Sequence, residues 1–256
     1  MPRDILTRPA PDADLRLAYG QDHNQFIDFR FPPQSAVPSP LVAHFHGGFW
    51  RNHRHLLHAG HFCAALTAIG MATANIEYRR GGDEGGGWPG TMDDAAAALR
   101  FARERAPGLG CSGRTLVTGH SAGGQMALWL ASEEPELAGA VGLGPVACLQ
   151  KAWELGLGDG AVEEFLGGTP TSAPERYRAA CPGLRPSSVP RVVIHGTTDD
   201  VVPVSISRLY VEARAADPAP VELLELEGAD HFDIIDPRSK VWPTVADTIR
   251  KLLSGG

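Results

Sequence analysis

The sequence predicts an α/β fold, a doubly wound and mostly parallel sheet flanked by helices. Three observations support this prediction. Short apolar runs alternate with segments of helical periodicity along most of the chain. Glycines and prolines cluster between these segments, where turns are needed. With 256 residues and 43% hydrophobic content the chain can bury a sizeable core, and we expect one domain over residues 1–256.

The strands are predicted from short runs of apolar, branched and aromatic residues. The first run, at 25–31, alternates loosely and ends at two prolines, which predicts a half-exposed strand. Further strands are predicted at residues 41–45, 71–78, 115–118, 138–143, 191–195 and 221–226. Because helical segments separate them, we expect these strands to pair in parallel through right-handed crossovers.

The helices are predicted from apolar residues at helical spacing. The first covers 55–69 and stops at Gly70, which can adopt a left-handed cap. Thr91, with Asp94 three positions later, resembles a capping box, and an alanine-rich helix is predicted to follow as far as Arg105. Further helices are predicted at residues 124–132, 204–216 and 241–253.

One segment interrupts this alternation. Residues 145–190 have poor periodicity and many prolines and glycines, and only two short helices are predicted there, at 161–166 and 174–180. We therefore expect a small helical cap insertion, which would cover the pockets of the sheet domain.

Charge and composition exclude several classes of function. The formal net charge is −7 and no run of lysine or arginine occurs, which argues against a nucleic-acid binder and against a basic membrane-surface protein. No signal-peptide pattern and no apolar run of membrane-spanning length is present, so the expected location is the cytoplasm. The four cysteines form no CxxC pair and are expected as reduced thiols. The expected partner is a small-molecule substrate, and a homodimer is left open.

Six of the ten histidines lie between His44 and His61, which raises the question of a metal site. His44 and His46 would share one face of a strand, and His58 and His61 one face of a helix. No H-E-x-x-H motif accompanies them, and neighbouring arginines would repel a dication. We therefore expect no metal and no cofactor.

The segment Gly119-His120-Ser121-Ala122-Gly123 lies between a predicted strand and a predicted helix. In that context the pattern G-x-S-x-G predicts a sharp turn that presents the central side chain above the sheet. The small flanking glycines would make room for the strained backbone at Ser121. This pattern predicts Ser121 as a nucleophile, and an ordinary tight turn is the structural alternative.

A serine nucleophile needs a base and a carboxylate that orients the base. Asp199 and Asp200 follow the strand at 191–195, and His231 follows the strand at 221–226. Both segments should therefore lie at the carboxyl edge of the sheet, where sites of open α/β folds are found. His231 is the candidate base, and either aspartate could be the acid.

The chain order Ser, Asp, His resembles that of the α/β-hydrolase superfamily. The His46-Gly47-Gly48 segment, the serine turn and the run Asp-His-Phe-Asp-Ile-Ile at 230–235 are similar to the serine-dependent kynurenine formamidases and to related small-molecule carboxylesterases. The resemblance covers roughly residues 40–250. It implies the α/β-hydrolase fold and hydrolysis of a small carboxylic ester or an aryl formamide.

The resemblance also assigns residue roles. In the superfamily pattern the acid lies three residues after a glycine, which corresponds to Asp199 and not to Asp200. The backbone amides of Gly47, Gly48 and Ala122 would stabilise the oxyanion.

The aromatic and basic residues of the neighbouring loops leave more than one interpretation. Phe49 and Trp50 would pack beside the acyl pocket or line it. Trp88 would either overhang the cleft or pack its own glycine-rich loop onto the body. Arg79 and Arg80 are expected to be solvated and paired with surface acids, with an anionic group of the substrate as the alternative.

Two other classes of function compete with the small-molecule hydrolase. One is a peptidase of the prolyl-oligopeptidase kind, although only about forty residues precede the HGG strand. The other is a catalytically silent binding member of the fold, which would be expected to lack a residue of the triad.

Overall fold

The structure, a computed structural model, describes residues 4–33 and 37–255 and is built on an eight-stranded sheet. The strands are β1 (Leu15–Ala18), β2 (Phe26–Arg30), β3 (Ser39–Phe45), β4 (Ala72–Ile76), β5 (Cys111–His120), β6 (Gly139–Leu143), β7 (Arg191–Gly196) and β8 (Val221–Leu226). Their order across the sheet is β1-β2-β4-β3-β5-β6-β7-β8. The pairs β1–β2 and β2–β4 are antiparallel, and the other neighbouring pairs are parallel.

Helices occupy most of the connections between strands. Among the described residues they are α1 (Gly60–Ala68), α2 (Gly90–Arg105), α3 (Ala122–Glu133), α4 (Leu149–Glu154), α5 (Ala161–Leu166), α6 (Pro174–Ala180), α7 (Ser205–Ala213) and α8 (Trp242–Ser254). Within the same two ranges, no helix has both the length and the apolar character needed to cross a lipid bilayer.

Helices cover both faces of the sheet, and successive residues of a strand point to opposite faces. In β3, Leu41 and Ala43 belong to a core cluster shared with α2 and α3, whereas Val42 belongs to a second cluster shared with α1 and α8. The predicted doubly wound, mostly parallel sheet flanked by helices is therefore confirmed.

Strand β1 is missing from the sequence-based prediction. It has four residues, pairs with β2 at the edge of the sheet and alternates half-buried with exposed positions. A strand this short contains too few apolar residues to give a periodic signal.

The helix predicted over 55–69 begins later than expected. Its first turn is a 3-10 turn at Leu56–Ala59, and α-helical geometry starts at Gly60. The Leu56 amide donates to the Glu77 carboxylate at 3.0 Å, and the Asn75 side chain donates to the Leu56 carbonyl at 3.1 Å. Side chains near β4 therefore bind the backbone of this first turn, and the sequence of the helix alone does not reveal them.

The predicted capping box at Thr91 and Asp94 is wrong. The residue that precedes α2 is Pro89. The Thr91 hydroxyl donates to the Arg79 carbonyl at 2.6 Å and accepts from the Gly87 amide at 3.1 Å. The Asp94 carboxylate accepts two hydrogen bonds from the Arg79 guanidinium. Both side chains thus hold the glycine-rich loop before the helix instead of capping the helix itself.

Residues 145–190 connect β6 to β7 and contain α4, α5 and α6. The two short helices predicted there are present at the predicted bounds as α5 and α6. Two side chains of α3 anchor the segment: Gln125 donates to the Ala180 carbonyl at 2.8 Å, and Trp129 donates to the Ala179 carbonyl at 2.9 Å. The segment is packed onto the face of the sheet that carries α3. Its role as a cap, and the assignment of residues 1–256 to one domain, stay predictions.

The segments with functional motifs leave the sheet at a single edge. The loop of Gly47 follows β3, Ser121 follows β5, Asp199 follows β7 and His231 follows β8. Because these strands are parallel, their carboxyl ends meet at the same edge.

Candidate active site

Ser121 occupies a strained turn between β5 and α3. Its backbone has φ +56° and ψ −117°, a combination that residues with a side chain rarely adopt. The surroundings hold it there: the Ser121 amide donates to the Leu143 carbonyl at 2.8 Å, and the Ser121 carbonyl accepts from the amides of Gln125 and Val146, both at 3.2 Å. The sharp turn expected from the G-x-S-x-G pattern is present.

The two glycines of this pattern are required by close backbone contacts. A Cβ at Gly119 would lie 2.0 Å from the Gly123 carbonyl oxygen, and a Cβ at Gly123 would lie 2.1 Å from the Phe45 carbonyl oxygen. Both distances are far below van der Waals contact, and main-chain atoms cannot move away as a flexible side chain could. Only glycine fits at either position.

Asp199 and His231 form a buried hydrogen-bonded pair. The His231 Nδ1–H group donates to Asp199 Oδ2 at 2.6 Å, and the side chains are 2% and 0% exposed. Asp199 Oδ1 accepts from the amides of Val201 and Val202 at 2.9 and 2.8 Å. With Nδ1 as the donor, Nε2 of a neutral His231 is left as the proton acceptor, which is the tautomer that a general base requires.

The charge of Asp199 is stabilised by its partners. Burial alone would raise the pKa of this carboxyl, but hydrogen bonds from His195 and His231 outweigh burial and hold its pKa well below the usual range. Asp200, the neighbouring candidate, is exposed. Of the two aspartates, the structure places Asp199 against the imidazole.

The end of β6 brings Ser121 close to the Asp199–His231 pair. The carbonyl of Leu143 accepts the Ser121 amide, and the next residue, Gly144, lies against the pair. A Cβ at Gly144 would be 3.3 Å from both Asp199 Oδ2 and His231 Nδ1. The three candidate residues therefore share one rim of the sheet.

His120, immediately before Ser121, also contacts His231. Its Nε2 lies 2.9 Å from the His231 carbonyl oxygen, and the centroids of the two imidazole rings are 4.5 Å apart. His120 is 2% exposed, so it packs between the serine turn and the loop of His231.

The His46-Gly47-Gly48 loop lies beside the serine turn. A Cβ at Gly47 would be 3.0 Å from the Cβ of Ser121, and Gly48 has φ +129°. In the part of the chain that the structure describes, the amides of Gly47, Gly48 and Ala122 donate to no protein acceptor. Amides that lie near a nucleophile and have no internal partner can bind a developing oxyanion.

A buried carboxylate that sequence reasoning missed holds this loop. Glu77 is 1% exposed, and its Oε1 lies 2.8 Å from His46 Nε2 and 2.8 Å from Arg80 Nη1. His46 Nδ1 contacts the Gly47 carbonyl at 2.8 Å, so the imidazole links Glu77 to the glycine loop. Burial would raise the pKa of Glu77, but the charges and hydrogen bonds of His46, Arg80 and the Leu56 amide lower it to about 2. A glutamate after a strand carries no local signal of this role.

The expectation of solvated arginines after β4 is wrong. Arg80 is 1% exposed and pairs with the buried Glu77. The Arg79 guanidinium binds both carboxylate oxygens of Asp94, which is itself buried. Both arginines pair with buried acids because the loops after β4 fold back over these carboxylates.

The three aromatic candidates all contact the 145–190 segment. The ring of Phe49 lies 2.7 Å from where a Cβ at Gly158 would be. Trp50 is 1% exposed, stacks on Phe165 with ring centroids 4.5 Å apart and donates to the Gln125 side chain. The indole of Trp50 is therefore buried between α3 and the 145–190 segment. Trp88 is half-buried, and its amide donates to the Phe165 carbonyl at 2.8 Å, which ties the glycine-rich loop to the same segment.

Three of the clustered histidines contact different partners. His44 Nδ1 contacts the Thr118 hydroxyl at 2.9 Å, His58 Nδ1 contacts the His55 carbonyl at 2.9 Å, and His61 accepts from Arg8 at 3.1 Å. Burial lowers the pKa values of His44 and His58 to about 3. Among the described residues, no three His, Cys, Asp or Glu side chains lie close enough together to share a metal ion.

Comparisons with known sequences identify proteins to which this chain is similar. The family model described as BD-FAE matches residues 27–143. Esterase LipC of Mycobacterium tuberculosis (strain ATCC 25618 / H37Rv) is 29% identical over an alignment that covers 86% of this chain and 60% of that protein. The chain therefore spans about 60% of the length of this curated relative.

Solved structures resemble the chain over nearly its whole length. A truncated form of a carbohydrate esterase from gut microbiota has a TM-score of 0.83 at 17% identity, covering 96% of this chain and 99% of that one. An esterase of the Planctomycetes species Thermogutta terrifontis, Est2 with propionate bound, has a TM-score of 0.73 at 24% identity, covering 95% of this chain and 94% of that one. At these identities the likeness shows a shared fold.

We expect Glu77→Gln to lower the free energy of unfolding by about 3 kcal/mol, because it removes the nearest carboxylate from the buried Arg80. The folded-state pKa of Glu77, about 2, lies below its ordinary value of 4.5. Its stabilising contribution is therefore complete above the ordinary value and is lost as the pH falls through about 2. The difference in unfolding free energy between wild type and Glu77→Gln, measured by urea unfolding, should stay constant from about pH 8 to about pH 5. Below about pH 5 this difference should become smaller.

The matched control is Glu164→Gln, which removes an exposed carboxylate that binds Arg51. Its unfolding free energy should stay within about 0.5 kcal/mol of wild type. Equal losses of unfolding free energy in the two variants would contradict the role assigned to Glu77. A difference between wild type and Glu77→Gln that does not depend on pH would contradict it as well.

Proposed function

We propose that this chain, which has the α/β-hydrolase fold, is a serine hydrolase that cleaves a small carboxylic ester or an aryl formamide through an acyl-enzyme intermediate. The observation that carries the proposal is the buried Asp199–His231 pair at the rim where the strained Ser121 turn is presented. Strained, buried and charged groups are costly to maintain, and they cluster at sites of chemistry.

In the proposed mechanism the Ser121 hydroxyl oxygen attacks the carbonyl carbon of the substrate, and His231 Nε2 takes the hydroxyl proton. Asp199 holds the Nδ1–H group of His231 and stabilises the imidazolium that forms. The amides of Gly47, Gly48 and Ala122 would bind the negative oxygen of the tetrahedral intermediate.

Collapse of that intermediate breaks the bond to the leaving group, which takes the proton from His231. Water then attacks the acyl-enzyme with the same base, and the free acid leaves as the Ser121 hydroxyl is restored. The cycle needs no cofactor and no metal, and its partner is the small-molecule substrate.

The relatives favour the ester over the formamide. LipC is named an esterase, and the Est2 structure holds propionate, a short carboxylic acid. The formamide alternative is supported by the His46-Gly47-Gly48 segment and the run at 230–235. We therefore propose a short-chain carboxylic ester as the first substrate to test.

The hydroxyl of Ser121 is expected to be indispensable. Ser121→Ala should lower kcat/KM for an activated short-chain aryl ester by about a thousandfold to a millionfold. It should also abolish labelling by a fluorophosphonate probe, since the probe bonds to an activated serine. Ser254→Ala, on an exposed serine of α8, should leave both readouts unchanged. Near-normal turnover by Ser121→Ala would end the proposal.

The adjacent aspartates provide a matched pair for the acid. Asp199→Asn should lower kcat by about a thousandfold to ten-thousandfold, because the amide no longer stabilises the imidazolium or enforces the required tautomer of His231. Asp200→Asn changes the same group one residue later on an exposed position and should stay within about twofold of wild type. Steady-state kinetics compares the two, and a larger loss in Asp200→Asn would move the acid to that residue.

Substrate class can be resolved by one panel assayed side by side. We expect turnover to be fastest on aryl esters with short acyl chains, followed by an aryl formamide such as N-formylkynurenine, with an aminoacyl anilide not cleaved. The panel is compared by kcat/KM, because differences in kcat/KM between substrates report differences in transition-state binding. A formamide preferred over every ester would establish the formamidase alternative, anilide cleavage would establish the peptidase, and absence of both turnover and probe labelling would establish the binding protein.

A further inference from the structure

A second histidine lies behind the acid of the site and takes no part in the mechanism above. His195, in β7, is 0% exposed. Its Nε2 is 2.8 Å from the Val202 carbonyl oxygen and 3.2 Å from Asp199 Oδ2. Its Nδ1 is 2.6 Å from the Ser207 hydroxyl, which belongs to α7 and is also fully buried. Three buried polar groups thus surround one imidazole.

The acceptors around this ring define where its hydrogens lie. A carbonyl oxygen and a carboxylate oxygen can only accept, so Nε2 of His195 carries the hydrogen directed at Val202 and Asp199. A neutral ring then has a lone pair on Nδ1, which accepts the hydrogen of the Ser207 hydroxyl. A neutral imidazole in this orientation satisfies all three contacts.

The neighbouring contacts connect this ring to the base. Asp199 Oδ2 lies between the Nε2–H group of His195 and the Nδ1–H group of His231. Oδ1 of the same carboxylate is occupied by the amides of Val201 and Val202. Each oxygen of the Asp199 carboxylate is therefore held by two donors, which restrain its rotation.

We propose that His195 is a positioning residue for Asp199 and that the Ser207 hydroxyl, bound to Nδ1, fixes the orientation of the His195 ring, so that a hydrogen-bonded relay runs from Ser207 through His195 and Asp199 to His231. This proposal rests on the proposed function, because it assigns Asp199 the role of orienting a base. The relay keeps Oδ2 aligned with the imidazole and shares the carboxylate charge between two donors. The pull of Asp199 on the His231 proton is thereby moderated.

Loss of the relay has a defined electrostatic sign. With one donor fewer, more negative charge stays on Asp199 Oδ2. This charge favours protonated His231, and the acid limb of the kcat/KM profile therefore moves to higher pH. The other ionisable group that faces the His231 ring is His120 of β5. Burial and the charges of His231 and His58 lower the pKa of His120 well below its usual value. His120 therefore remains neutral at the pH values of this acid limb. Glu225 of β8 lies beside His195 and is bound by Arg208.

The decisive variant is Ser207→Ala, two hydrogen bonds away from Asp199. Without the hydroxyl, Nδ1 of His195 loses its partner and the ring is no longer held in one orientation, so its Nε2–H group loses its alignment with Asp199 Oδ2. We expect kcat to fall about tenfold, with KM within about twofold and the acid limb of the kcat/KM profile moved to higher pH. The matched control, Ser205→Ala, removes an exposed hydroxyl from the same helix and should change none of these quantities.

Substitutions of His195 separate positioning from packing. His195→Leu removes the donor and should reproduce or exceed the loss seen in Ser207→Ala, whereas His195→Gln returns an amide donor near the position of Nε2 and should recover most of kcat. If His195→Leu fails to fold, Ser207→Ala and His195→Gln still decide the question. Wild-type kcat and an unshifted profile in a folded Ser207→Ala would overturn the relay, as would a loss of thermal stability alone.

A readout that needs no turnover keeps this test separate from that of the proposed function. The pH titration of the His231 ring signals, followed by NMR in wild type, Ser207→Ala and Ser205→Ala, reports the coupling directly. A midpoint that rises only in Ser207→Ala supports the relay, and unchanged midpoints overturn it. Retained activity in Ser121→Ala would refute the nucleophile while leaving this titration result standing.

Discussion

The structure depends on a close approach of main-chain segments at the turn between β5 and α3. Ser121 is held at φ +56°, and the flanking Gly119 and Gly123 lie where any Cβ would meet a carbonyl oxygen at 2.0 or 2.1 Å. Backbone atoms surround the turn on several sides, so its strain cannot relax through a local shift. The serine side chain is consequently presented at the edge of the sheet where the loops after β3, β7 and β8 meet.

Two buried carboxylates then organise the loops around that turn. Glu77 binds His46 and Arg80 and so holds the glycine loop after β3. Asp199 binds His231 and two backbone amides and so holds the loops after β7 and β8. A buried carboxylate deprived of its donors is strongly unfavourable, which restricts each loop to arrangements that keep its donors in place. The same electrostatic requirement thus shapes both the glycine loop and the loops that carry Asp199 and His231.

The segment between β6 and β7 packs against the residues that follow the glycine loop. Three successive residues after the glycine loop contact it: Phe49 packs at Gly158, Trp50 stacks on Phe165, and Arg51 binds Glu164 at 2.7 Å. The glycine loop is therefore packed between the sheet and this segment. The position of its amides depends on residues far away in the chain, and substitutions in the 145–190 segment will act on the site through these contacts.

The sequence by itself determined the alternation of strands and helices, the strained turn at Ser121 and the order of the motifs, because periodicity and steric exclusion act over a few neighbouring residues. The choice between Asp199 and Asp200 needed a family resemblance at the sequence level, and the structure places the Asp199 carboxylate against His231. Only the tertiary structure revealed the role of Glu77 and the burial of Trp50. Both follow from ion pairs and stacking between segments distant in sequence, and such contacts leave no local pattern in the chain.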